Sequence, residues 1–264
     1  MSTDTSWLDS MPAVYDRALG PALFAPFAVY LAGAASALAP GRLLELAAGT
    51  GVATSELVAA LPDTEIVATD LNPAMVSYGA AKVPGATWRP ADAQLLDDPD
   101  GSFDVVVCQF GVMFFPDKPA AFAEAARVLA PGGTLLVIVW DVVEASPFPA
   151  ALVAGVAAAV PEDPPSFVVR IPHGYHDPGL IASDLRAGGL EPVAIERLVL
   201  HGTAPSAATL AEGFCRGTPL RFALQERGDL DDLTAAVAAE MTTRLGRGPV
   251  EGELAALVVS ARRP

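Results

Sequence analysis

Basic residues are scarce in this chain of 264 residues, in which 16 Lys and Arg stand against 31 Asp and Glu. The formal net charge of −15 repels phosphate backbones and acidic membrane surfaces alike. No local cluster of Lys and Arg offers an exception. The composition therefore argues against nucleic acid or an acidic membrane surface as the main partner.

Cysteine is nearly absent, since Cys108 and Cys215 are the only two and lie far apart in sequence. Two such residues form neither a disulfide framework nor a zinc pattern, so no metal site is predicted and a reducing cytoplasm is the expected location. Cys108 ends an apolar run and is interpreted as a small buried side chain. The first five residues lack the basic region of a secretory signal.

Charge is also missing between Arg17 and Arg42, a stretch long enough to cross a bilayer. Three prolines interrupt it, and Ala and Gly dominate its composition. We therefore predict a buried or capping helix here rather than a membrane span.

From Gly41 onward, short β-rich runs alternate with helical segments, a pattern typical of βαβ units and a mostly parallel sheet. Seven runs are predicted to be strands: 42–46, 65–69, 86–88, 103–107, 134–140, 191–200 and 254–261. The predicted organisation is a helical cap over 1–40, a cofactor-binding core over 41–141, and a remainder over 142–264. That remainder holds the last two strands and insertions that cap a substrate.

The strongest motif is the run Leu43 to Gly51, where a predicted strand ends in a glycine-rich turn. Gly49 and Gly51 let the backbone turn tightly and approach a ligand closely. Glu45, four residues before Gly49, places a carboxylate within reach of a ligand's ammonium group. Thr54 stands where the dinucleotide fingerprint has its third glycine, which disfavours a dinucleotide.

Further polar residues follow the next strands. Asp70 closes the second strand, 19 residues after Gly51, where a carboxylate can accept hydrogen bonds from ribose hydroxyls; the alternative is a cap on the following helix. Asp92 and Ala93 can meet the amino group and edge of an adenine, or form a plain turn. Gln109 and Phe110 follow the fourth strand and are expected to face the reactive end of a cofactor.

Taken in order and spacing, these residues resemble the class I S-adenosylmethionine (SAM)-dependent methyltransferases, in particular the small-molecule branch related to ubiquinone/menaquinone C-methyltransferases. The later blocks Phe103–Asp104, 114–117 and 127–135 resemble that family as well. The resemblance implies an α/β fold with a Rossmann-like, seven-stranded mixed sheet flanked by helices. It also implies that Glu45, Ala47, Gly49 and Gly51 hold the methionine part of SAM. Asp70 and Leu71 would hold its ribose and adenine, and Asp92 and Ala93 its adenine edge.

The family commonly has glycine at position 47, where this chain has alanine, which narrows the backbone approach slightly. Methyl transfer itself needs an in-line approach, which positioning of the acceptor supplies, and some acceptors also need a base. His173 and His176 lie in a segment where a substrate wall is expected; a catalytic base and a structurally bonded loop histidine are both possible for each. His176 is the slightly favoured base, because Asp177 adjoins it.

Near the amino terminus, Tyr15 could close over the transfer site, and Phe24 and Phe27 could line an apolar acceptor pocket or belong to the core. The predicted enzyme methylates an apolar or aromatic small molecule on O, N or C, as a monomer or homodimer. Two alternatives stay open: a protein of this fold that binds SAM without methyl transfer (a cyclase or a binding module), and an NAD(P)-dependent oxidoreductase.

Overall fold

A computed structural model describes residues 11–264 and contains one seven-stranded sheet with the order β3-β2-β1-β4-β5-β7-β6. The strands are β1 (Arg42–Glu45), β2 (Glu65–Asp70), β3 (Thr87–Pro90), β4 (Phe103–Gln109), β5 (Leu129–Trp140), β6 (Glu191–Ala204) and β7 (Val250–Arg262). β1 to β5 pair in parallel, and β7 runs antiparallel to β5. The predicted fold class, a Rossmann-like mixed sheet of seven strands, is confirmed.

Chain order reverses between β1 and β4, which are neighbours in the sheet although two strands intervene in sequence. Glu45, the last residue of β1, lies level with Ala68 of β2 and Val107 of β4. The carboxyl ends of these strands therefore reach one edge of the sheet, at the position where open α/β sheets bind ligands. The central strands are buried and apolar, as parallel strands covered on both faces must be.

Eleven α-helices occur within residues 11–264. They are α1 (Met11–Leu19), α2 (Ala25–Ser36), α3 (Val52–Ala60), α4 (Pro73–Lys82), α5 (Lys118–Val128), α6 (Pro147–Ala159), α7 (Phe167–Arg170), α8 (Pro178–Ala187), α9 (Ala207–Gly217), α10 (Leu220–Gln225) and α11 (Leu230–Leu245). A π-helical turn, Gly20–Phe24, joins α1 to α2. Several helices begin at a polar residue whose side chain accepts a backbone N–H, for example Asp117 before α5.

The contacts divide the chain into two units. The sheet unit comprises residues 27–140, 175–198 and 256–264, and in it α5 packs against α8. The helical unit comprises the described residues up to 26 together with 141–174 and 199–255. In the helical unit, α11 packs against α6 and α9, and α1 packs against α9. The division predicted from sequence, at residues 40 and 141, stays a prediction.

The helical stretch Met11–Ser36 is the single one within residues 11–264 that is long and apolar enough to cross a membrane. More than half of its most apolar window is buried inside the protein, as in the core helix of a globular domain. Phe27 and Ala28 in this stretch have no exposed surface. This burial agrees with the buried helix predicted from the sequence.

The start of β1 is held by a carboxylate from the neighbouring strand. Oδ2 of Asp104, in β4, accepts the backbone N–H groups of Gly41 at 2.8 Å and Arg42 at 2.9 Å. This carboxylate fixes the relative position of β1 and β4 at the amino ends of the two strands. Asp104, which the resemblance singled out, thus has a structural role at the edge away from the glycine-rich turn.

The fifth strand begins earlier than predicted. β5 starts at Leu129 rather than at residue 134, and its pairing register with β4 shifts between Phe103 and Val105. Gly132 and Gly133 exchange backbone hydrogen bonds with Arg263, which follows β7, so these bonds stabilise the turn as part of the sheet.

Candidate functional site

The loop after β1 is a tight turn built on left-handed backbone conformations. Ala47, Gly49 and Gly51 have φ angles of +53°, +56° and +79°. The backbone N–H of Ala48 donates to the carbonyl of Thr69 in β2 at 2.9 Å, which fixes the loop to the neighbouring strand. A Cβ built on Gly49 would meet no atom within 4 Å, so open space adjoins the loop at this glycine. The predicted glycine-rich turn is therefore present and exposes its backbone to a ligand.

Glu45 ends β1 beneath this loop and is almost fully buried. Its Oε2 accepts a hydrogen bond from the hydroxyl of Thr54, in α3, at 2.6 Å. Burial away from water raises the pKa of the Glu45 carboxyl to about 8, although the Thr54 bond acts in the opposite direction. Burial thus favours the protonated form of this carboxyl, and a nearby cation would favour its ionised form.

Asp70, at the end of β2, bonds to the same loop. Its Oδ2 accepts the backbone N–H of Gly49 at 2.8 Å, and its Oδ1 accepts that of Asn72 at 2.9 Å. Burial raises the pKa of Asp70, and the two backbone bonds oppose that shift. The side-chain cap of α4 is Asn72, whose Oδ1 accepts the N–H of Ala74. Asp70 is therefore not the helix cap that the sequence left open as an alternative.

Two buried polar atoms beside these residues have no hydrogen-bond partner within residues 11–264: the hydroxyl of Thr50 and Nδ2 of Asn72. Buried polar atoms nearly always have a hydrogen-bond partner, so these two atoms suggest that a bound ligand supplies the missing partners. Thr50 lies in the glycine-rich loop, and Asn72 lies two residues after Asp70. The open space at Gly49 and these donors fit a ligand that carries both a carboxylate and hydroxyl groups.

The residues predicted to meet an adenine follow β2 and β3. Leu71, directly after β2, is 67% exposed and presents an apolar surface on which a ring could lie. Asp92 is half-buried and Ala93 is buried, in a turn closed by a hydrogen bond from the Leu95 N–H to the Asp92 carbonyl. The turn that the sequence offered as an alternative is thus present, and the carboxylate lies within it.

β4 is longer than predicted, so Gln109 is its last residue and Phe110 follows it. The Phe110 N–H donates to the carbonyl of Ile138 in β5, and its φ of +55° is strained for a residue with a side chain. The Phe110 ring stacks on Trp140 at 3.7 Å between centroids, and Phe27 meets both rings edge-on. Phe27 has no exposed surface, so it supports these rings from within the core.

The next residue, Gly111, contacts the glycine-rich loop. A Cβ there would lie 2.5 Å from the Cβ of Ala47 and 2.7 Å from the Sγ of Cys108. Cys108 is fully buried, as predicted, and burial raises the pKa of its thiol to about 12. The loops after β1 and β4 therefore touch, and the methyl group of Ala47 leaves room at position 111 for glycine alone.

The remaining predicted residues of the acceptor side lie in different units. In the helical unit, Tyr15 is half-exposed and stacks on the buried ring of Phe24 at 5.0 Å. His173, in the same unit, is buried, and its Nδ1 lies 2.7 Å from the carbonyl oxygen of Asp141. His176 belongs to the sheet unit and is half-exposed. The neighbouring Asp177 caps α8 through its Oδ1, which accepts two backbone N–H groups.

The hydrogen bond of His173 determines which ring nitrogen carries a proton. A carbonyl oxygen can only accept, so Nδ1 donates and Nε2 is the basic nitrogen of the neutral ring. The bond to Asp141 thus fixes the orientation and the tautomer of the His173 ring. The preference for His176 drawn from the adjacent Asp177 stays a prediction.

Sequence reasoning missed three contributors to the site. Thr54 was recognised as a departure from the dinucleotide fingerprint, but not as the hydrogen-bond partner of Glu45. Asn72 has no predicted role, although its Nδ2 is one of the two unpartnered atoms described above. Trp140 was placed in a strand, and its stacking on Phe110 depends on a pairing of β4 with β5 that no local pattern reveals.

Comparison with known proteins identifies the segment that contains most of these residues. Residues 43–133 match a family model described as a methyltransferase domain. The demethylmenaquinone methyltransferase of Deinococcus radiodurans is 42% identical over 113 residues, which cover 40% of this chain and 47% of that enzyme. The matched part thus spans less than half of this relative.

Solved structures resemble a larger part of the chain. A protein of Bacillus halodurans, named provisionally as a methyltransferase, matches 89% of this chain and 98% of its own, with a TM-score of 0.57 and 19% identity. The cyclase SpnF matches 89% of this chain and 79% of its own, with a TM-score of 0.56 and 20% identity. At such identities these likenesses establish a shared fold alone.

Proposed function

We propose that this chain, whose residues 43–133 form a domain of the methyltransferase family, transfers a methyl group from SAM to a small-molecule acceptor. The observation that carries the proposal is the hydrogen bond from the Gly49 N–H to Asp70. It joins the glycine-rich loop and the carboxylate after β2 into one surface, inside the segment that matches the family.

Each part of SAM has a fitting partner on that surface. Glu45 would pair with the ammonium group, which favours the ionised carboxylate that burial alone disfavours. Thr50 would donate to the carboxylate of the methionine part, and Asp70 would accept the ribose hydroxyls. Leu71 and Asp92 would meet the adenine. SAM supplies an electrophilic methyl group on its sulfonium, and the chain's contribution is to hold both reactants in line.

The acceptor side favours an apolar or aromatic molecule. Phe110 and Trp140 form a stacked pair at the ends of β4 and β5, next to the glycine-rich loop that Gly111 contacts. The excess of acidic residues disfavours a strongly anionic acceptor. The prediction that Phe24 and Tyr15 contact the acceptor stays a proposal from the sequence; in the structure the two rings stack on each other within the helical unit. Phe27 acts behind Phe110 and Trp140, because it is fully buried.

A base is needed where the acceptor loses a proton. We propose His176 or His173 for that role, and the Asp141 carbonyl fixes the tautomer of His173. A histidine that acts as the base would receive the proton of a hydroxyl or an activated carbon and become an imidazolium. We also propose that the protein works in the cytoplasm as a monomer or a homodimer. Neither a nucleic acid nor a membrane is a partner in this proposal.

Thr54 supports SAM over a dinucleotide. In the dinucleotide fingerprint, the third glycine lets the helix pack closely on the strand. Here the same position holds a fully buried threonine whose hydroxyl is bonded to Glu45. A carboxylate at the bottom of the loop suits an ammonium group and opposes a pyrophosphate.

Calorimetric titration of the purified chain tests the proposal. SAM should bind saturably, NADH should not, and Asp70→Ala should weaken SAM binding by about tenfold or more, as expected for the loss of hydrogen bonds to a charged group. An acceptor screen that follows formation of S-adenosylhomocysteine then tests methyl transfer. Binding of SAM with no transfer to any planar or apolar acceptor would favour a binding module or a cyclase, and binding of NADH alone would indicate a dehydrogenase.

A further inference from the structure

The turn after β3 presents a carboxylate in a fixed direction. Its start is tied to β2, since the Ala91 N–H donates to the carbonyl of Asp70 at 3.0 Å. Within the turn, the backbone N–H of Gln94 donates to Oδ1 of Asp92 at 2.9 Å, and the Leu95 N–H donates to the Asp92 carbonyl at 3.0 Å. The backbone of the turn thus fixes one side of the Asp92 carboxylate.

The side chain of Gln94 adds two further bonds with opposite polarity. Its Nε2 donates to Oδ1 of Asp92 at 3.2 Å, and its Oε1 accepts the backbone N–H of Asp117 at 2.9 Å. Asp117 is the residue whose side chain caps α5. A single amide therefore connects the turn to the start of a helix 23 residues further along the chain. A carboxylate of the same shape could accept from Asp117 but could not donate to Asp92.

Both bonds to Asp92 fall on Oδ1, and its Oδ2 has no hydrogen-bond partner within residues 11–264. We infer that Gln94 is a positioning residue that holds Oδ2 of Asp92 toward the base of the cofactor and thereby determines which base is accepted. The inference rests on the proposed binding of SAM. The 6-amino group of adenine donates to a carboxylate, whereas the 6-oxo group of hypoxanthine only accepts and is repelled by it.

A purely structural role of Gln94 predicts a different result in a binding experiment. If Gln94 only joined the turn to α5, its loss would weaken every ligand of this site by a similar factor. If Gln94 orients Asp92, its loss weakens the adenine ligand and leaves the hypoxanthine ligand nearly unchanged. The ratio of the affinities for the adenine and hypoxanthine ligands therefore distinguishes a positioning role of Gln94 from a purely structural one.

The experiment is calorimetry on the full chain with S-adenosylhomocysteine and with its 6-oxo analogue, S-inosylhomocysteine. Wild type should prefer the adenine ligand by about tenfold or more, the factor expected for one hydrogen bond to a charged group. Gln94→Glu, which keeps the acceptor for Asp117 and loses the donor to Asp92, should reduce the preference to about threefold or less. Gln94→Met, which loses both bonds, should do the same. Gln225→Glu, at an exposed glutamine, should leave the preference unchanged.

Thermal melting of each variant shows that it is folded, and Gln94→Glu serves if Gln94→Met is not. A preference that stays at the wild-type value in folded Gln94→Glu, whether or not both ligands bind more weakly, would overturn the inference and leave the proposed function intact. Wild type that binds neither ligand would overturn the proposed function, and this inference with it.

Discussion

Gly49 donates its backbone N–H to Oδ2 of Asp70 over 2.8 Å, so the glycine-rich loop and the carboxylate after β2 are directly bonded. The loop's conformation and the direction of the carboxylate are consequently set together. A substitution at either residue should affect both the cofactor's affinity and the stability of the loop.

The change Asp70→Asn should test this coupling. An amide can still accept one backbone bond, but it lacks the charge and presents an NH2 group to one of its two donors. We expect the dissociation constant for SAM to rise by about tenfold or more and the melting temperature to fall. Calorimetry and thermal melting measure the two effects. Asp63→Asn, at an exposed aspartate in the next loop, is the control and should change neither.

Ala47 and Gly111 should show strong mutual dependence. Gly111→Ala would place its Cβ 2.5 Å from the Cβ of Ala47, so we expect a loss of about 1–3 kcal/mol in the free energy of unfolding. Ala47→Gly should be neutral or stabilising by up to about 1 kcal/mol, because relief of the left-handed strain exceeds the entropy cost of glycine.

The double variant Ala47→Gly/Gly111→Ala should recover part of that loss, because one of the two clashes is gone. Chemical denaturation of the four proteins measures the coupling. Additive effects of the two substitutions would mean that the loops after β1 and β4 do not constrain each other.

The acid–base behaviour of Glu45 predicts a pH dependence with a definite sign. The folded pKa of about 8 exceeds the ordinary value of 4.5, so between these values the native chain holds a proton that the unfolded chain has lost. The free energy of unfolding should therefore fall as the pH rises from about 5 to 8. Glu45→Gln should remove this part of the slope, as followed by denaturation at a series of pH values.

Cofactor binding should reverse the protonation of the same carboxyl. An ammonium group pairs with the ionised form, so binding of SAM at about pH 6.5 should release a proton, and the affinity should increase toward pH 8. Calorimetry in two buffers with different ionisation enthalpies counts the released protons. Equal proton release by wild type and Glu45→Gln would show that another group titrates.

Arg127 is the centre of a network that holds the segment between β3 and β4. Its guanidinium donates to the carbonyls of Leu96 and Asp98 and to the carboxylates of Glu124 and Asp100. Lysine keeps the charge but cannot reproduce this fork of donors, so Arg127→Lys should cost about 1.5–3 kcal/mol in the free energy of unfolding. Arg186→Lys, at an exposed pair of 3.9 Å, should cost little, and denaturation compares the two.

The sequence predicts the glycine-rich turn and the strand ends well because these depend on local features. Strand ends, glycines in turns and acidic residues at strand ends are each visible in a short window. The hydrogen bond between Gly49 and Asp70 was not predicted. The loop around Ala47 also follows from its strand and its glycines.

The surroundings of His173, Trp140 and Gly132 depend on contacts between distant segments, and the sequence does not predict them. His173 is oriented by a carbonyl 32 residues away, and Trp140 meets Phe110 only because β5 pairs with β4. Gly132 and Gly133 lie within β5 because the end of the chain returns to bond with them. No short stretch of sequence indicates these contacts, because each joins segments that are far apart in the chain and meet only in the folded sheet.

The bond from Asp104 to the amides of Gly41 and Arg42 has an evolutionary consequence. It aligns β1 with β4 at the end of the sheet opposite the glycine-rich loop, so the alignment does not depend on the sequence of the loops at the carboxyl ends of the strands. Insertions and substitutions in those loops can therefore accumulate without disturbing the alignment of the two strands. The same separation makes these loops suitable positions for laboratory diversification.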